Sequence, residues 1–272
     1  MSHTPHLGYR SVTLRKGSQR SHDLLAVEEP MEIRVDGQPV AVVLRTPDAN
    51  PQIDLDLALG FLFTEGVIDD LDDIVSIGHC TDKRNQNRTN LIFVNLASGS
   101  FRARERLGNA VRRQYVSSSC GVCGKSSIDK VFQLTEPLPR LMELDDEFIK
   151  SLPDKLRAIQ TNFEMTGGVH GAAIFSRDGQ LKAASEDIGR HNAVDKVVGQ
   201  CIRSGPFPLN DHVMVVSSRA GFEIVQKAIM ARIGAVLSVG AASSMAHELA
   251  NRSRLALYSF VRSGRFNTHT EL

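Results

Sequence analysis

Between residues 213 and 260 the chain alternates short apolar runs with amphipathic stretches, and this restricts the architecture more than any other feature. Residues 213–216 read as a buried strand, followed by a polar loop and a helix over 222–232. A strand at 235–239, a helix near 243–251 and a strand at 255–260 complete a βαβαβ run. Strands separated by single helices imply a parallel stretch of sheet with right-handed crossovers. In such sheets ligands bind beyond the carboxyl ends of the strands. Three loops occupy that position: Ser217–Gly221, Gly240–Ser244 and Arg262–Arg265.

Upstream of this run, 172–175 and 181–184 flank an Arg177-Asp178-Gly179 turn and read as a hairpin, and 192–201 reads as a helix with Val194, Val197, Val198 and Cys201 on one face. Leu152, Leu156, Ile159 and Phe163 stand at helical spacing and predict one helix over 152–163. The first half is strand-rich: 31–35 and 40–44 surround a turn at 36–39, then come a helix over 51–64 closed by Gly66 and strands at 74–77 and 91–96. In 101–113, Arg102, Arg104 and Arg106 recur at period two, as on one face of a strand. Such a row is either a solvated face that blocks edge pairing or a docking patch for an anion.

With 272 residues the chain has material for two domains. We divide it into a disordered basic tail (1–22, with Arg10, Arg15, Lys16 and Arg20), a β-rich domain (23–116), a mobile cysteine loop (117–130) and an α/β domain (131–272), α+β overall. Lys plus Arg, 32, nearly cancels Asp plus Glu, 31, which speaks against a nucleic-acid coat or a polybasic membrane binder. No apolar run is long enough to span a bilayer and the N-terminus lacks a secretory apolar region. Four cysteines are too few for a disulfide scaffold. A cytoplasmic protein is expected.

Ser117–Ser127 sets Cys120-Gly-Val-Cys123 among serines and glycines, with Lys125 close enough to favour a thiolate. A zinc site would need two further ligands, and Cys80 and Cys201 stand alone. A thioredoxin-type pair belongs at a strand-to-helix junction, which this is not. A sulfur carrier needs an exposed thiolate on a flexible arm, and the setting suits that. Deaminase zinc chemistry requires H-x-E before P-C-x-x-C, but Ser119 precedes Cys120 and the H-x-E present, His269-Thr270-Glu271, lies downstream. His247-Glu248 fails as H-E-x-x-H because Asn251 occupies the second histidine position. No zinc is expected.

The densest polar cluster is Glu186-Asp187-Ile-Gly-Arg190-His191-Asn192-Ala-Val-Asp195-Lys196. It reads either as helix capping with surface ion pairs or as a ligand pocket. Ser217-Ser218-Arg219 before a helix suits phosphate, and Arg262-Ser263-Gly264-Arg265 supplies two guanidinium groups with a glycine between them. Thr166-Gly167-Gly168-Val169-His170 adds a glycine turn and a histidine that is either structural or functional.

Taken in order, these motifs, together with Phe260-Val261-Arg262-Ser263-Gly264-Arg265, resemble the formate dehydrogenase accessory sulfurtransferase family (FdhD) from about residue 28 to 270. The resemblance implies a sulfur carrier that takes persulfide sulfur from a cysteine desulfurase and passes it to the bis-guanylyl molybdopterin molybdenum cofactor, bound as substrate, for formate dehydrogenase. It implies a cytidine-deaminase-like C-terminal domain without zinc, a persulfide on Cys120 with Cys123 as the second thiol, a cofactor segment over Phe260–Arg265, and a homodimer. A non-catalytic cofactor-binding chaperone is the alternative. The sequence departs from the family pattern at Gly171, where alanine is common, and at His269, where tyrosine is expected.

Overall fold

The protein is described from a computed structural model that covers residues 8–100, 103–105, 107, 136–205 and 207–270. The first two strands, β1 (Tyr9–Lys16) and β2 (Gln19–Ala26), form an antiparallel ribbon of their own. A four-stranded sheet follows, built from β3 (Glu29–Val35), β4 (Gln38–Arg45), β5 (Ile74–His79) and β6 (Leu91–Leu96) in the order β4-β3-β6-β5. Helix α1 (Gln52–Thr64) leaves β4 and packs beneath this sheet.

Next come α2 (Asp146–Arg157) and the short α3 (Thr161–Thr166). The second sheet comprises β7 (His170–Ser176), β8 (Leu181–Asp187), β9 (His212–Val216), β10 (Ala235–Ser238), β11 (Ala256–Arg262) and β12 (Arg265–Thr268). Helices α4 (Arg190–Ser204), α5 (Phe222–Met230) and α6 (Ser244–Ser253) connect β8 to β9, β9 to β10 and β10 to β11. The order is β12-β11-β10-β9-β7-β8, with β9, β10 and β11 mutually parallel. The expected βαβαβ run is therefore present, and β9 and β10 are apolar because both of their faces are covered. On one face Ala173, Val213, Val215 and Leu237 meet Ile149, Leu152 and Leu156 of α2. On the other, Ile174, Met214 and Val236 join α4, α5 and α6.

That second cluster continues without a break into Met31, Ile33 and Val35 of β3 and Leu57, Ala58 and Leu62 of α1. One core thus spans the boundary expected between residues 116 and 131. The crossing of α1 and α4 holds it together through two glycines. A Cβ on Gly60 would stand 1.9 Å from the Asp195 carbonyl oxygen, and one on Gly199 1.9 Å from that of Asp56. Ion pairs flank the crossing: Arg203 grips Asp56 at 2.7 and 3.1 Å. Lys227 reaches Thr64 at 2.9 Å and Asp195 at 3.0 Å.

Several expectations need correction. Where the expected tail is described, it is the β1–β2 ribbon, turned by Gly17 at φ +63° and seated on α3, with Ala26 close to Gly168 just beyond that helix. The strand expected over 101–113 is instead helical at 103–105: Ala103 and Leu107 are buried at i, i+4, a helical spacing. Arg104 then bonds the carbonyls of Leu96 and Ala97 and pairs with Asp36, so it blocks no sheet edge. Arg102, Arg106, Arg112 and Arg113 lie outside the described residues. The single helix expected over 152–163 begins earlier, where Asp145 caps Glu147 and Phe148, and breaks before Thr161. There Glu186, from β8, accepts the amides of Asn162 and Phe163 at 2.8 Å and starts a new helix. Finally, Arg265 does not belong to a loop alone; it opens β12.

Candidate functional site

The sheet topology gathers the sequence motifs onto one edge. Because β7 runs antiparallel to β9, its first residue, His170, lies at the end where β9 finishes. Strand β8, antiparallel to β7, brings Asp187 opposite His170. Strands β10 and β11 finish at the same edge, and β12 returns from it with Arg265. The three loops predicted from the βαβαβ pattern are all here, joined by His170 and the 186–191 segment.

Backbone contacts fuse these loops. Ser217 donates its amide to the Gly171 carbonyl at 3.0 Å and accepts the Gly171 amide on Oγ at 2.9 Å. Gly240 donates to the Ser218 carbonyl and accepts from the Phe260 amide. A Cβ on Gly240 would stand 2.9 Å from the Arg219 backbone, so glycine is required for this approach. Ser238 Oγ, fully buried, ties the turn from below through the Ser218 carbonyl at 2.6 Å.

The polar cluster divides into structural and open residues. Asp187 is saturated: it accepts Thr46, Gly189 and Asn192 and pairs with Lys196 at 2.7 Å. Lys196 also donates to the Thr46 carbonyl, and Asp195 is bound by Thr64 and Lys227. Glu186 serves α3; burial pushes its carboxyl above the ordinary range despite the two backbone donors. Two residues are left facing the edge. His191 Nε2 lies 2.7 Å from Glu223 Oε2, off the line of an ideal hydrogen bond, and Arg190 is 3.8 Å from the same oxygen. Arg190 Nε is buried and has no hydrogen-bond partner.

Sequence reasoning passed over Glu223. Its one signal was an acid in the first turn of a helix, which reads as ordinary capping. Burial alone would raise its carboxyl, but the His191 contact and the Arg190 and Lys227 charges hold it below the usual range. Burial, with the Arg190 and His191 charges, pulls the His170 ring below its ordinary value, which leaves it neutral at neutral pH. Helices α4 and α5 both begin at this edge behind Gly189 and Gly221, with no side-chain cap. Their first amides and positive dipole ends favour an anion.

At the β11–β12 turn Arg262, Ser263, Gly264 and Arg265 are exposed, as is Arg219 nearby in the fold, while Val261 is fully buried. Phe260 stands apart. Its backbone is left-handed at φ +52°, it lies in a register shift between Ser259 and Arg262, and its ring is 42% exposed. A bulky residue held there costs on the order of 1–3 kcal/mol, and an exposed ring presented this way offers a flat apolar surface. The edge therefore combines arginines, helix N-termini and an aromatic face, a set suited to a large aromatic polyanion.

This edge carries no thiol among the described residues. Cys201 is buried in α4, and burial pushes its thiol up to about 11, so it stays protonated and inert. Cys80 follows β5 in the other sheet. Cys120 and Cys123 lie outside the described residues. No helix among the described residues is long and apolar enough to cross a membrane, and none of their His, Cys, Asp and Glu side chains form a metal-binding group of three or more.

The FdhD/NarQ family profile matches residues 26–272. The chain is 41% identical over 266 residues to the sulfur carrier protein FdhD of Streptomyces avermitilis, covering 95% of this chain and 91% of that one. It is 42% identical over 269 residues to the protein of the same name from Anaeromyxobacter dehalogenans strain 2CP-1, covering 96% and 90%. A crystal structure of a proposed formate dehydrogenase accessory protein from Desulfotalea psychrophila matches the fold with a TM-score of 0.72. That match has 22% identity and covers 97% of this chain and 96% of the other.

Proposed function

Because the chain belongs to the FdhD/NarQ family, we propose that it is a sulfur carrier serving formate dehydrogenase, with Cys120 as the carrying thiol and the strand-end edge as the platform for the acceptor. The observation that carries this reading is the chemistry of the edge, whose arginines and helix N-termini favour an anion. Of the four cysteines, Cys201 is buried and Cys80 follows a strand of the other sheet, so we assign sulfur carriage to the Cys120-Gly-Val-Cys123 pair.

In the loading step the Cys120 thiolate attacks the outer sulfur of a desulfurase persulfide. The donor's S–S bond breaks, its cysteine leaves as thiolate, and Cys120 becomes a persulfide with no net oxidation. The acceptor substrate is the bis-guanylyl molybdopterin cofactor. Arg262 and Arg265, with Arg219, are assigned to its phosphates, Arg190 and His191 to charge near the α4 terminus, and Phe260 to one of its ring systems. Cys123 is the second thiol, and its attack on the loaded Cys120 would release the sulfur and leave a disulfide. A homodimer working in the cytoplasm is part of the same reading.

The test is intact mass spectrometry after incubation with a cysteine desulfurase and cysteine. A reducible gain of one sulfur atom is expected in the parent chain and lost in Cys120→Ala. If Cys120→Ala still supports formate dehydrogenase while Arg265→Ala does not, the chain is a cofactor-binding chaperone and the sulfur-carrier reading is wrong.

A further inference from the structure

Beside the strand-end edge, on the outer side of β8, a cavity of about 190 Å³ opens where the two halves meet. Its walls come from the connection between β4 and α1, from the break between α2 and α3, and from β7 and β8. At ~30 Å³ per molecule it has room for about six waters, below the roughly 300–1,000 Å³ of a drug-sized pocket. Ile53, Leu156 and Ala172 supply apolar wall, whereas Asp48, Asn50, Gln160, Asn162, Ser185 and Glu186 contribute polar groups. No lysine, arginine or histidine is among the residues that line it.

Gln160 is the unexplained member. It is only 5% exposed, and its amide nitrogen has no hydrogen-bond partner. A buried N–H left unmade costs about 1–3 kcal/mol, so the position calls for a reason. Space for this amide exists because residue 171 is glycine. A Cβ there would lie 2.6 Å from Gln160 Nε2 and 2.8 Å from its amide carbon. Gly171 is thus the floor on which a cavity-lining carboxamide rests.

We propose that this cavity is a binding site for a small neutral or cationic compound whose hydroxyl or carbonyl oxygen accepts a hydrogen bond from Gln160 and whose N–H or O–H groups donate to Glu186 and Asp48. The last side-chain torsion of glutamine is broad, so the amide can turn toward an occupant. Both Glu186 oxygens already accept one backbone amide, and each keeps a further lone pair for a ligand donor. Burial outweighs the two backbone donors and the Arg157 and Lys196 charges at this carboxyl, and a further donor in the cavity would favour its charged form. The absence of any lining cation, together with two carboxylates, excludes phosphates and carboxylates as occupants. The site is therefore opposite in electrostatic character to the arginine-rich edge.

The experiment uses the full chain labelled with nitrogen-15 and titrated separately with 2-aminoethanol, acetamide, inorganic phosphate and acetate. Saturable movement of the Gln160 side-chain amide is expected with the first two and no movement with the anions. Gln160→Leu and Ala184→Leu, the second placing bulk on the Glu186 face of β8 while keeping the amide, should each weaken binding of 2-aminoethanol by about tenfold or more. For Gln160→Leu the response is read at the Ser185 backbone amide, and retained dispersion elsewhere shows that the fold is intact. The proposal is overturned if no probe saturates, if phosphate binds as well as 2-aminoethanol, or if Ala184→Leu binds it unchanged.

Discussion

Phe260 shows how a single residue can be constrained by something other than packing. A phenylalanine at φ +52° is unfavourable, and glycine would adopt that backbone freely. The ring is nearly half exposed, so little apolar burial offsets the strain. Phe260→Gly is accordingly expected to melt within about 2–4 °C of the parent, a change of roughly 1 kcal/mol for a chain of this size. The same variant should bind guanine nucleotides more weakly if the ring is part of the platform. Calorimetric titration beside a thermal melt separates the two effects. A large loss of stability with unchanged binding would make Phe260 a packing residue. The residue-scale reading of the polar cluster was half legible. Asp187 and Lys196 proved structural because their partner Thr46 sits 141 or more positions away, a distance no local pattern reveals.

Among the elements, α1 depends most on a neighbour. Its contact with α4 is so close that the facing residues have no room for a methyl group. Gly60→Ala and Gly199→Ala must each push the helices apart, with a loss of about 3 kcal/mol or more in urea-induced unfolding. Gly78→Ala, in open space on β5 without a positive φ, is the matched control and should stay within about 0.5 kcal/mol. Equal midpoints for all three variants would show that the crossing relaxes freely. The apolar runs bounded by turn signals, such as α1, β9 and β10, and the amphipathic α5 were legible within a few residues. The break between α2 and α3 was not, because a carboxylate from β8 makes it. Nor was β12, whose pairing with β11 carries a register shift beside Phe260.

At the scale of the whole molecule, three histidines among the described residues weaken the fold in mild acid. His170, His212 and His269 are all held below the ordinary value of 6.5, in each case chiefly by burial. A histidine with a depressed folded-state pKa lets the unfolded chain take up its proton first. Its contribution is complete above 6.5 and is lost as the pH falls from there through the folded value. The melting temperature should therefore decline as the pH falls below about 6.5, and less steeply in His212→Gln. A flat profile there would contradict the assignment. Glu186, whose carboxyl is raised, works in the opposite sense, but from 4.5 upward.

The shared core has a further consequence, in time. Asp54 of α1 finds Arg45 nine residues back, but Asp56 waits for Arg203, 147 residues further along the chain. At roughly 5–20 residues per second, a ribosome needs about 7–30 s to reach that arginine. Until then the helix at the centre of the protein carries a carboxylate without its ion-pair partner and an apolar face without cover. The first half therefore reaches its final form only after most of the second has been made.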